Sequence, residues 1–116
     1  MVQSFKKTVY TLLREKYGVD MDWREITDAN DVDATDKIIA RENPNRAALI
    51  VINTSTGTIY LRPRISATTS AGIVLVPSGG SMSISAPEDG PLAAYEWHAI
   101  GSAGNLAFLA IGGHLA

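Results

Sequence analysis

Short apolar runs separated by turn-forming residues recur along most of this chain, and their spacing is the feature that most limits the fold. Proline, glycine, serine and asparagine cluster between the runs, so that a turn signal follows every run. Turn signals at intervals of roughly 8–12 residues are typical of an all-β sandwich or barrel. The runs cover residues 37–42, 47–53, 58–62, 72–76, 81–86, 93–101 and 105–113. The sequence therefore predicts a mainly β fold, a small antiparallel β-sandwich of about seven strands, arranged as a jelly roll or a meander.

Residues 46–61 carry the strongest hairpin pattern in the chain. Two apolar, β-branched runs flank the polar tetrad 54–57, which predicts an antiparallel hairpin. The first run is apolar at both odd and even positions, which predicts a central strand covered on both faces. The second run alternates and predicts two pairs of side chains, Ile59 and Leu61 inward and Tyr60 and Arg62 outward.

The first 18 residues have the pattern of an amphipathic helix. Five apolar side chains fall on one stripe at 3.6 residues per turn, and Gly18 stands where a glycine ends a helix. Such a helix is marginal alone and needs a surface to cover its stripe. Two interpretations follow: the stripe packs on the chain's own sandwich or its edge, or it is an arm that docks on another subunit. The candidate partner-binding residues of the arm are Val2, Phe5, Val9, Leu12 and Leu13, together with Trp23 beyond it.

An acidic segment separates this helix from the strands. Residues 19–36 hold seven of the twelve carboxylates, and from Lys37 onward five cations face four carboxylates. The aspartates lack the spacing of an EF-hand loop, so a solvated connector anchored by Trp23 and Ile26 is favoured over a calcium site. We therefore expect a helical arm over residues 1–18, an acidic connector over 19–36 and a β-sandwich domain over 37–116.

Residues with catalytic or metal-binding chemistry are sparse. The chain of 116 residues has no cysteine and two histidines, and neither His98 nor His114 belongs to a zinc or triad pattern. His98 is expected to be a structural or surface residue in a strand, and His114 to lie in a disordered C-terminal tail. We expect no enzyme activity, no cofactor and no metal. A net charge of −2 gives no general attraction to nucleic acid or to anionic membrane.

One basic and aromatic cluster is a candidate contact site. Arg62 and Arg64 flank Pro63 beside Tyr60. Two cations are too few for nucleic acid, so the cluster is interpreted as a rim or inter-subunit contact, with a polar ligand such as a glycan or phosphate as the alternative.

The order of turn and strand-end motifs over residues 43–111 resembles the small β-sandwich virion proteins of tailed bacteriophages. The motifs are Asn43-Pro44-Asn45-Arg46, an apolar strand ending at Asn53, Ile59-Tyr60-Leu61, the stretch 72–81, Glu96-Trp97 with Ala99-Ile100, and the apolar stretch 106–111. Proteins of that kind decorate or cement capsids, or serve as head-fibre and tail accessory modules.

This resemblance implies a structural protein of the virion, made in the host cytoplasm. The first expectation is a capsid decoration or cement protein that binds the shell of the major capsid protein, or another virion protein, as a homo-oligomer, with a trimer favoured. The alternative is a head-fibre or a tail or neck accessory module that connects virion parts or binds host-surface glycans. Neither expectation includes a nucleic-acid or membrane partner.

Overall fold

The computed structural model describes residues 21–86 and 88–115, and these form eight β-strands and one short 3₁₀ helix. The 3₁₀ helix spans Gly90–Ala94, between the sixth and seventh strands. The strands are β1 (Met21–Glu25), β2 (Lys37–Ala40), β3 (Arg46–Asn53), β4 (Ile59–Pro63), β5 (Ile73–Leu75), β6 (Ser81–Ser85), β7 (Trp97–Gly101) and β8 (Phe108–Leu115). The predicted N-terminal helix of residues 1–18 lies outside the described residues.

The strands form two antiparallel sheets of four, one in the order β1-β8-β3-β6 and the other in the order β2-β7-β4-β5. Within the described part of the chain, β4 and β5 are the one pair that is consecutive in sequence. The other pairs bring together strands that are distant in sequence, such as β1 with β8 and β2 with β7. The meander alternative is therefore wrong, whereas the prediction of a mainly β, two-sheet fold is confirmed.

The predicted hairpin of residues 46–61 is also wrong, because β3 and β4 belong to different sheets. The polar tetrad carries the chain across the gap between the sheets. The Asn53 side chain holds this crossing in place: its Oδ1 accepts hydrogen bonds from the Ser55 amide (2.9 Å) and hydroxyl (2.6 Å), and its Nδ2 donates to the Gly57 carbonyl (2.8 Å). A local turn signal thus marks a change of sheet.

The core lies between the two sheets and follows the predicted alternation. Ile59 and Leu61 of β4 are fully buried, as are Leu49 and Val51 of β3, while Met82 of β6 is almost so. Strand β3 is hydrogen-bonded on both sides, as predicted for a central strand. Its outward residues are half-buried rather than covered. Burial of these alternating side chains is the main stabilising contribution that the two sheets make.

One strand, and the last residues of another, lie where sequence patterns predicted none. Strand β1 occupies part of the segment expected to be a solvated connector, and it pairs with β8 over five residues. Ile26, just after it, packs on the core as expected of an anchor. His114 lies inside β8 and is buried, so the expectation of a disordered C-terminal tail is wrong at this residue.

The seventh strand begins later than predicted. The stretch 93–101 contains the end of the 3₁₀ helix, and β7 starts at Trp97. Pro91 favours a helical start at that position, and Trp97 Nε1 then donates a hydrogen bond to the Leu92 carbonyl at 3.0 Å. Among the described residues, no helix is long and apolar enough to cross a membrane.

Candidate interaction surface

The outward side of the β2-β7-β4-β5 sheet carries the strongest candidate for a contact with another molecule. Because side chains alternate along a strand, the residues between the buried ones point away from the core. The hydrogen-bonding register places them in two rows across the strands. We call this surface the β4 face; it consists of Ile38, His98 and Arg62 in one row, and Ile100, Tyr60 and Val74 in the other.

The β4 face exposes several large apolar side chains. Val74 is 54% exposed and Ile38 is 38% exposed, and Val76, which follows β5 with the same parity as Val74, is 58% exposed. Tyr60 and Ile100 are half-buried between them. Val74 and Val76 lie at the β5 edge and Ile38 at the opposite edge, β2, and exposed apolar side chains on a sheet surface are a feature of protein interaction sites. The surface is therefore suited to binding a protein.

The structure divides the predicted cluster of Tyr60, Arg62 and Arg64. The first two share the β4 face, as predicted from their alternation. Arg64 lies beyond the strand with a left-handed φ of 68°, and its guanidinium carbon stands 3.7 Å from the centre of the Tyr95 ring. This cation–π contact occupies one face of the Tyr95 ring. Tyr60 and Arg62 are the part of the cluster that belongs to the surface.

His98 lies in the first row of the β4 face, between Ile38 and Arg62, and is held by two carboxylates. The ring is buried, with its Nδ1 2.8 Å from Asp36 Oδ2 and its Nε2 2.7 Å from Glu96 Oε1. Burial alone would lower the pKa of His98, but the hydrogen bonds to Asp36 and Glu96 outweigh it and raise the pKa above its ordinary value. An imidazolium can donate both bonds at once, which a neutral ring cannot. His98 is a structural residue, as predicted, and it ties β7 to the segment before β2.

Three aspartates of the acidic segment have defined structural contacts. Asp28 Oδ2 accepts the Arg41 amide at 2.8 Å, and Asp31 and Asp33 contact Lys37 Nζ at 2.7 and 3.2 Å. Hydrogen bonds from the Thr35 hydroxyl and amide, followed by that from Lys37, lower the pKa of Asp33 to about 2. No group of three or more metal-ligating side chains occurs in the described ranges 21–86 and 88–115.

The remaining arm residues are only partly described. Trp23 lies outward on β1, at the edge of the other sheet, and is 38% exposed. Val2, Phe5, Val9, Leu12 and Leu13 lie outside the described residues.

Two buried polar residues that link β3 to distant segments were missed by the sequence patterns. Arg46, at the start of β3, donates from Nε to the Ala93 carbonyl (2.6 Å) and from Nη2 to the Tyr95 carbonyl (2.8 Å). Asn53, at the end of β3, donates from Nδ2 to the Leu75 carbonyl (2.9 Å). Both were singled out as strand-end motif residues, and their position at the two ends of one apolar run was the available signal.

Comparison with known proteins adds no relative. No protein-family model, no curated protein and no solved structure matches this chain.

Proposed function

We propose that this protein is a structural component of a tailed bacteriophage particle, a capsid decoration or cement protein that binds the major capsid protein shell as a homo-oligomer. The observation that carries the proposal is the β4 face, a sheet surface with exposed apolar side chains at its edge strands. Tyrosine and arginine are enriched where proteins meet, and Tyr60 and Arg62 stand in the middle of that face. A shell-binding role requires such a surface and no catalytic group.

The strand order supports the same proposal. Pairing β1 with β8, β2 with β7, β3 with β6 and β4 with β5 is the result of folding one long antiparallel hairpin over itself. We take this arrangement to be a jelly roll, an architecture that recurs in viral capsid proteins. The motif order over residues 43–111 points to virion sandwiches independently of strand order.

The proposed homo-oligomer is tested by measuring the mass of the protein in solution. A trimer is expected, since small β-modules gain stability by closing exposed edges and faces around a symmetry axis. Light scattering of the purified protein should give a stable mass of three chains. A monomer that assembles only on a particle would favour a connector at the neck or tail over a decoration protein.

The β4 face is tested by shell binding. Purified capsid shells that lack this protein are mixed with wild type or with the double variant Tyr60→Asp, Val74→Asp, and bound protein is measured by co-sedimentation. Two buried contacts of hot-spot strength, about 2 kcal/mol each, predict at least a 100-fold loss of affinity. Ser83→Asp places one new carboxylate on the outward side of the other sheet and serves as the control. Equal binding of the β4-face variant and the control would refute this surface.

The N-terminal segment is tested in the same assay. Deleting residues 1–18 is expected to abolish attachment while the strands remain folded by circular dichroism. Unchanged attachment would remove the segment from the mechanism and would favour the interpretation in which its apolar stripe packs on the chain's own sandwich.

A second candidate function, a head-fibre or tail accessory module that binds host-surface glycans, is favoured by one observation. Tyr60 and Arg62 share the β4 face, and an aromatic ring beside a cation suits a sugar with acidic groups. Glycan-array binding that disappears in Arg62→Ala with Arg64→Ala would support this function over shell decoration. The absence of glycan binding by wild type would exclude it.

A further inference from the structure

A pocket of about 270 Å³ opens at the end of the sandwich where β3 begins and β8 ends. Its floor is formed by Arg46 and His114, which are 3% and 5% exposed. Gly112 makes room for them, because a Cβ at that position would stand 2.6 Å from His114 Cε1 and 3.1 Å from Arg46 Cδ. The two side chains therefore lie directly against the backbone of β8.

The Arg46 guanidinium has donors to spare at this floor. Its five N–H groups include two that bond to the Ala93 and Tyr95 carbonyls. The other three have no hydrogen-bond partner among the described residues. No buried side-chain nitrogen or oxygen in residues 21–86 and 88–115 lacks a partner, so Arg46 Nη1, which has none among these residues, is reached by solvent. The opening that Arg46 lines is this pocket.

Charges of both signs line the pocket, with three arginines and three carboxylates. Arg24 and Arg41 stand at the rim with Glu25, Asp28 and Glu42, and all five are exposed. Within the described part of the chain, none of these three carboxylates lies within 4.0 Å of a guanidinium nitrogen.

The pKa of His114 is lowered by its surroundings at this floor. Burial and then the positive charges of Arg24 and Arg46 lower the pKa of His114 below its ordinary value. Arg24 Nε also donates weakly to His114 Nδ1 at 3.4 Å, which is consistent with a neutral ring. The floor thus presents unused guanidinium donors, while Asp22 Oδ2 lies 3.8 Å from Arg24 Nε and the charge of Asp28 acts on Arg46.

We propose that the Arg46 pocket is a binding site for a small carboxylate. The two oxygens accept hydrogen bonds from the free N–H groups of Arg46, and Arg24 and Arg41 flank the bound group. Bidentate pairing of a guanidinium with a carboxylate supplies both the geometry and the charge that such a site requires. The rim carboxylates repel a second negative charge, so the site prefers a singly charged carboxylate to a phosphate. The volume admits a ligand of a few heavy atoms, since one water takes about 30 Å³. This site goes beyond the proposed structural role and does not depend on it.

The test is a titration of the full chain with acetate, inorganic phosphate and chloride at matched ionic strength. NMR follows the Arg46 side-chain Nε–H and the His114 ring. Acetate is expected to produce saturable shifts in both and to raise the pKa of His114, because a bound negative charge favours the imidazolium. Phosphate is expected to bind at least threefold more weakly, and chloride to give no saturation. Shifts that stay linear in acetate concentration, or that chloride reproduces, would overturn the proposal.

Variants at the rim separate binding from folding. Arg24→Gln removes a cation whose side chain is 61% exposed, and it should weaken acetate binding 5- to 10-fold without unfolding the protein. Glu42→Gln removes a rim carboxylate and should leave acetate binding unchanged or tighter and improve phosphate binding. Arg46→Met removes the proposed donors to acetate and also the hydrogen bonds to Ala93 and Tyr95. If circular dichroism shows that this variant is folded, it should not bind acetate. Equal acetate affinity in wild type and Arg24→Gln would refute the assignment of the site.

Discussion

Asn53 offers the sharpest test of how the two sheets are held together. Its side chain is fully buried at the end of β3 and makes five hydrogen bonds, to Ser55, Gly57, Leu75 and Val76. Those to Leu75 and Val76 reach the opposite sheet and the residue that follows it. Replacing Asn53 with alanine removes all five bonds and leaves the buried carbonyl of Leu75 without this donor.

The loss of unfolding free energy in Asn53→Ala depends on which of the freed groups water can reach. A buried carbonyl left without a partner costs about 2 kcal/mol, and the four part-buried bonds, where water substitutes in part, cost about 0.5 kcal/mol each. The sum is about 4 kcal/mol, a large share of the roughly 5–15 kcal/mol that stabilises a domain. With an m-value of about 1.5 kcal/mol/M, the urea midpoint falls by roughly 2–3 M.

Urea unfolding followed by far-UV circular dichroism measures this loss. Thr54→Ala, at the exposed neighbouring position, is the matched control and should change stability by less than about 0.5 kcal/mol. Asn53→Asp keeps the acceptor for Ser55 but turns a carboxylate toward the Gly57 and Leu75 carbonyls, so it should destabilise at least as much as alanine. A loss for Asn53→Ala within 1 kcal/mol of the Thr54→Ala value, at an unchanged m-value, would refute the role of Asn53 as a link between sheets.

Two further predictions concern His98 and Gly112. Because folding raises the pKa of His98, the protonated ring contributes fully to the free energy of unfolding below about pH 6.5, and this contribution is lost as the pH rises through the folded-state pKa. The urea midpoints of wild type and His98→Gln should therefore differ more at acidic than at alkaline pH. A difference that does not change with pH would contradict this. Gly112→Ala forces a Cβ against the His114 ring and should lower the free energy of unfolding by about 1–3 kcal/mol. In the control Gly104→Ala no atom lies within 4 Å of the added carbon, so the loss should be less than about 0.5 kcal/mol. Equal thermal midpoints for the two variants would show that the floor of the Arg46 pocket is not tightly packed.

Side-chain alternation was sufficient to predict most strands and their inward faces. Ile59 and Leu61 are buried, and Tyr60 and Arg62 point outward. Successive side chains of a strand point to opposite faces, so burying one set of alternate residues places the other set outside. Local pattern did not determine which strands pair. Residues 46–61 have the composition of a hairpin, yet Asn53 organises the intervening turn so that the chain changes sheet.

The elements missed by sequence reasoning depend on distant partners. Strand β1 contains three charged residues in five and no clear apolar alternation; its pairing with β8, about ninety residues later, is what makes it a strand. Arg46 is buried because carbonyls 47 and 49 positions away accept its hydrogen bonds. No local window contains these partners, so the Arg46 pocket could not be predicted, whereas the outward pair on the β4 face could.

The position of β8 has a consequence for how the protein is made. This strand lies between β1 and β3, so the first sheet has a gap in its middle until residues 108–115 have left the ribosome. Strands β4 and β5, by contrast, are close in sequence and pair as soon as both have emerged. During synthesis the nascent chain therefore exposes the apolar sides of β3, and the first sheet is completed only once β8 has emerged.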